Sequence, residues 1–164
     1  MINMFGPNTG EMNNWFYSFY MGPALFIGFS TEFYFFTNYG TQQMETQYRW
    51  LEETLAMANK PEHRSKWPWI ITFAHRPMYC SNLDRDDCTQ FMSVIRTGYG
   101  PNKQYPLESL FYKYGVDLEI WAHEHSYERY EQFTTIIIKT IIFLFIIHRF
   151  FPVFDGKVYN GTQG

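Results

Sequence analysis

Two periods of apolar and polar residues run along this chain, one that suits strands and one that suits helices. Residues 15–20 and 24–30 are rich in aromatic and β-branched side chains and flank Met21-Gly22-Pro23, which predicts two strands joined in a hairpin. Between Thr41 and Ala58, the residues Met44, Tyr48, Leu51, Leu55 and Ala58 recur at intervals of four and three. That spacing predicts a helix capped at Thr41, with an apolar stripe laid on a sheet, ended by Asn59-Lys60-Pro61. Such a stripe is core packing far more often than a ligand site. Residues 69–74, apolar but for Thr72, run into His75-Arg76-Pro77; this predicts a buried strand, stopped where proline removes a ladder donor. Residues 89–96 predict a short helix and 98–104 a turn region. Pro106 at a helix start, Leu107, Leu110, Phe111 and Tyr114 on one face, and Gly115 just past the end bound a further helix. It leads into a second buried strand at 116–121. Strand, helix and strand in this order predict a right-handed parallel unit and hence an α/β fold. Residues 1–14 read as loop, 32–40 as a loop at the rim of the sheet, and His63, in a polar linker, as a solvated surface histidine.

The candidate chemistry lies at the ends of the two buried strands. Trp121-Ala122-His123-Glu124-His125 follows the second one. In an extended strand alternate side chains share a face, so His123 and His125 are expected to point one way and Glu124 the other. A lone H-x-H is more often a pair of solvated histidines than a metal site. The first buried strand also ends in a histidine, His75, and two core strands that each deliver histidine at the C-terminal edge of a sheet point to a metal site there. Beside His75, Arg76 is a candidate phosphate contact, and Asp84 and Asp86 are candidate proton donors; each has the plainer reading of a solvated loop residue.

Three stretches, 70–79, 112–118 and 121–129, resemble the purple acid phosphatases, a family of calcineurin-like metallophosphoesterases, and within it the animal type 7 group. The resemblance covers roughly residues 5–132 and resumes near 151–161. It implies a fold that is part of a β-sandwich flanked by helices, with the N-terminal half of the catalytic domain missing. It implies metal-dependent hydrolysis of a small phosphomonoester at a dinuclear centre, iron with zinc, iron or manganese, by a metal-bound hydroxide. His75 and His123 would hold the divalent ion and His125 the ferric ion. Family members carry upstream D-x-G, G-D-x-x-Y and G-N-H-[DE] motifs that supply the remaining ligands, and none of these stands in this sequence. Plant members place a histidine pair in the loop after the first metal-binding strand, whereas this loop has no histidine.

Composition narrows the picture. An apolar content of 46% with a formal charge of −3 reads as one globular core. The aromatic content of 21% is spread over several predicted strands and reads as core packing. A weakly acidic balance without Lys/Arg clusters argues against a nucleic-acid surface. Cys80 and Cys88 are the two cysteines. Their loop is long enough to close a disulfide, the favoured expectation, although two cysteines also occur in reduced proteins. Asn160-Gly161-Thr162 is a glycosylation acceptor pattern. The start of the chain does not read as a signal peptide, so a secreted or lysosomal setting is expected of the family member as a whole and the chain reads as truncated. The apolar run 134–147, interrupted by Lys139, falls short of the ~20 residues that span a bilayer. Residues 133–149 read as an insert foreign to the fold, between a catalytic-domain portion at 1–132 and a resumed segment at 150–164. His148 then has no ligand role. Two functions compete: an acid phosphatase carrying part of its metal ligands, and an inactive fragment that is at most a weak metal binder.

Overall fold

The computed structural model describes residues 14–38, 40–80, 88 and 93–129, with the backbone of Val153–Phe154 and Lys157–Val158. Strands β1 (Tyr17–Met21), β2 (Ala24–Gly28), β3 (Trp69–Phe73) and β4 (Leu118–Ile120) form one sheet in that order. The hairpin β1–β2 is antiparallel and turns at Gly22, whose φ of 55° lies where residues with a Cβ are strained. The β2–β3 and β3–β4 pairs are parallel, in register from Ala24↔Trp69 to Gly28↔Phe73 and from Ile71↔Leu118 to Phe73↔Ile120. Two further short strands, Val153–Phe154 and Lys157–Val158, pair with each other.

Parallel neighbours need crossovers, and the chain uses helices for both. Helices α1 (Gln42–Ala58) and α2 (Pro61–Arg64) connect β2 to β3, while α3 (Val94–Thr97) and α4 (Leu107–Tyr114) connect β3 to β4. The core forms where Leu25, Ile27 and Ile70 of the sheet meet Met44, Leu51 and Leu55 of α1 and Leu107, Leu110 and Phe111 of α4. At ~1.5–3 kcal/mol per fully buried large apolar side chain, this layer supplies the main driving force of the fold. The α4 stripe and its bounds follow the sequence pattern, and Gly115 adopts the left-handed cap conformation at φ 59°. On the opposite sheet face, Phe19 stacks on Phe26 with ring centroids 5.2 Å apart. Phe73 meets Tyr17 and Phe19 edge-on there, and Trp69 and Ile120 are exposed.

Several local expectations change. Thr41 stands at the α1 N-cap, but its side chain makes no capping bond. The stripe of α1 includes Gln47, which is 1% exposed, while Tyr48 is only partly covered. The linker that holds His63 is in part the helical turn α2, and His63 is half-buried against Trp67. The helix expected at 89–96 begins at Val94. Among the described residues no helix is long and apolar enough to cross a membrane. Asp84, Asp86, Asn160 and the run 133–149 lie outside the described residues.

Candidate metal site at the sheet edge

The C-terminal ends of β3 and β4 deliver His75 and His123 side by side. Parallel pairing continues past both strands, with the Ala74 N–H donating to the Ile120 carbonyl at 3.1 Å and the Ala122 N–H to the His75 carbonyl at 2.9 Å. His123 Nδ1 lies 3.0 Å from His75 Nε2, and the rings meet edge to face. Two nitrogens at that distance can share a hydrogen bond or a common ion. The rings are accessible, His75 exposed and His123 half-buried.

His123 is not aimed by strand alternation. β4 ends at Ile120, and the chain turns so tightly that the Glu124 N–H donates to the Ala122 carbonyl at 2.8 Å, with His123 at φ 69° between them. A three-residue turn with positive φ at its centre is strained for a residue with a Cβ. The strain turns His123 towards His75. His125 follows two residues later and is exposed. Glu124 reaches the other way, its Oε1 lying 3.2 Å from Cys88 Sγ.

Cys80 and Cys88 are joined as a disulfide with Cα atoms 5.3 Å apart, which closes the loop after His75. Together with Glu124 they are the one group of three or more potential metal ligands clustered among the described residues. Sulfurs bonded to each other carry no thiolate, so this cluster is not a metal site as it stands.

Arg76 is engaged by its neighbours. Its N–H donates to Thr31 Oγ1 at 2.7 Å, its Nε donates to both oxygens of Glu32 at 2.9 and 3.2 Å, and the guanidinium lies 4.5 Å from the Phe35 ring centre. Glu32 was visible in the sequence only as part of a rim loop without period, and Thr31 fell between that loop and the preceding strand. The signal that finds them is register: because Gly28 pairs with Phe73, residues just past β2 must arrive beside residues just past β3.

Behind the site, buried Arg96 pairs with Glu108, which also accepts a hydrogen bond from the Tyr79 hydroxyl. Glu119 of β4 is half-buried. Burial first, and then the charge of nearby Glu108, push it up to about 8, against a smaller opposing effect of a hydrogen bond with Trp121.

The donor chemistry fits a metal ion in part. Bonds of ~2.0–2.1 Å to a common ion hold two imidazole nitrogens ~3 Å apart, which matches the His75–His123 pair. A centre of two ions needs carboxylates as well, and none joins the pair in a cluster among the described residues.

The comparisons bear on the same stretch. The sequence profile described as Calcineurin-like phosphoesterase matches residues 3–127. The human protein "Acid phosphatase type 7" is 47% identical over 154 residues, covering 94% of this chain and 30% of the relative. Its zebrafish (Danio rerio) namesake is 47% identical over 157 residues, with 94% and 31% covered. The Arabidopsis thaliana protein "Fe(3+)-Zn(2+) purple acid phosphatase 12" is 30% identical over 128 residues, 78% of this chain and 23% of the relative. No solved structure matches. This chain therefore spans about a third of the length of the animal relatives it matches. With its α/β sheet and its paired histidines at the strand ends, the chain belongs to the calcineurin-like phosphoesterase family.

Proposed function

We propose that this chain contributes His75, His123 and His125 to a dinuclear metal centre of iron with zinc, iron or manganese that hydrolyses a small phosphomonoester. The observation that carries the proposal is the pair of imidazole nitrogens, 3.0 Å apart, brought together by two adjacent parallel strands at the sheet edge where open α/β folds bind ligands. The metal ions, when bound, supply Lewis-acid stabilisation of the charge on the phosphoryl group. His75 and His123 would hold one position from the segments just past two paired strands, tied to the sheet by the Ala74–Ile120 and Ala122–His75 backbone hydrogen bonds. His125 stands free to reach a second. Neutral imidazoles bring no negative charge to offset multivalent ions, so the chain's own ligands are a partial set. In the whole protein the carboxylates are expected from segments beyond those described.

A second reading follows from that shortfall: alone, this chain is at most a weak metal binder without turnover. The test loads the full chain with iron and zinc, measures metal bound per chain, and assays a chromogenic phosphomonoester in acidic buffer beside His123→Ala. The expected result is metal retention that His123→Ala removes, with hydrolysis no faster than in that variant. Metal retention indifferent to His75→Ala and His123→Ala overturns the site; turnover well above the control overturns the partial-set reading.

A further inference from the structure

His75 is exposed, so beyond its edge-to-face contact with His123 its direction depends on the backbone that carries it. That backbone is held on both sides. On the β4 side, the His75 carbonyl accepts from Ala122 and the neighbouring Ala74 N–H is bound to Ile120. On the β2 side, the next residue is held by the Arg76 N–H on Thr31 Oγ1, the Arg76 side chain on Glu32, and Phe35 beneath the guanidinium.

The clamp is itself anchored. Ser30 has both backbone groups taken by one side chain: its N–H donates to Gln47 Oε1 and its carbonyl accepts from Gln47 Nε2, each at 2.8 Å. Gln47 sits in the buried face of α1, so a helix amide takes the place of a strand partner at Ser30. Thr31, fully buried, is thereby fixed with its hydroxyl towards residue 76.

We infer that Thr31 and Glu32, fixed to α1 through the Gln47–Ser30 pairing, are positioning residues that set the orientation of His75 for metal binding. The inference rests on the reading of His75 as a ligand. A partly exposed ion pair such as Glu32–Arg76 adds little to the stability of a fold, whereas loss of groups that orient a metal ligand commonly weakens metal affinity ~10–100-fold. The two roles therefore separate experimentally.

The probe is cobalt(II), titrated into the full chain and read by its visible absorption bands, which report coordination geometry, with thermal melting alongside. Thr31→Val keeps the shape of the side chain but removes the acceptor, Thr31→Ser keeps the acceptor, and Glu32→Gln removes the charge. Expected are cobalt affinity lowered roughly tenfold or more in Thr31→Val, near-native affinity and bands in Thr31→Ser, and shifted bands in Glu32→Gln at a little-changed melting temperature. Native affinity and bands in both Thr31→Val and Glu32→Gln would reduce the clamp to glue and overturn the inference. Should Thr31→Val fail to fold, Glu32→Gln alone decides between these outcomes. His75→Ala separates the levels: cobalt binding that survives it brings down the metal reading and the inference together, while binding that needs His75 but ignores the clamp overturns the inference alone.

Discussion

The two ends of the β3–β4 pair are built on opposite terms. At the N-terminal end, Arg64 of α2 donates to the Pro68 and Gly115 carbonyls and to Asp117 Oδ2, and the same carboxylate oxygen accepts the Ile70 N–H at 2.8 Å. Asp117 is 3% exposed at its side chain. Asn59 closes the corner by donating to the Leu55 and Tyr114 carbonyls. Charge and backbone groups there have partners that keep them in place. At the C-terminal end the rings are accessible, their nitrogens face each other, and one of the two residues sits at positive φ. The contrast teaches how differently one pair of strands can end: one edge has its carboxylate and backbone groups paired, the other is strained and open.

The contrast can be broken most forcibly from the saturated end. Asp117→Ala leaves the Arg64 guanidinium and the Ile70 N–H without their common acceptor, and removing one partner of a buried pair costs ~3–5 kcal/mol. The expected result is a melting temperature lower by roughly 10 °C or more, with cobalt affinity per folded molecule unchanged. A parallel loss of metal binding would show that the two edges are not separable.

Between the ends, Glu119 makes stability depend on pH in an unusual direction. Its folded value of about 8 lies above the ordinary 4.5, so the folded chain holds a proton that the unfolded chain releases. The stabilisation is complete below about pH 4.5 and is lost as pH rises through about 8. Melting curves should fall by several degrees from pH 5 to pH 8, and Glu119→Gln should flatten that fall. A wild-type melting temperature that rises over this window would contradict the burial of the carboxyl.

The smallest effect sharpens the comparison from the open end. His123→Gly relieves the positive φ and should raise stability by ~1 kcal/mol, about 2–4 °C, while abolishing metal binding. Melting with and without cobalt measures both. A less stable glycine variant would mean that the turn is not strained.

Much of this was legible from the chain's periodicities. The α4 bounds could be read from Pro106 and Gly115, and the strand ends that lead to His75 and His123 from two strand-like stretches, 69–74 and 116–121, each followed by histidine. What could not be read depends on partners far apart in sequence. Arg64 and Asp117 are 53 residues apart, and nothing local marks either as interior. Gln47 occupies the apolar stripe three residues after Met44 and four before Leu51, yet a polar residue there shows its purpose only once Ser30 arrives beside it. Alternation supplied the wrong reason for the aim of His123, because β4 stops before reaching it and a tight turn takes over.

The parallel register also fixes an order of events. Thr31 and Arg76 are 45 residues apart, Ile70 and Asp117 are 47 apart, and His75 and His123 are 48 apart. No short stretch emerging from a ribosome contains the histidine pair, unlike a metal knuckle whose ligands are near neighbours and which can gather its ion while the rest of the chain is still unfolded. The crossover from β3 to β4 must close before the two rings can meet, and closures of this span are slow steps of folding. An ion held by this pair would thus meet strands already joined there, and would not be the nucleus around which they assemble.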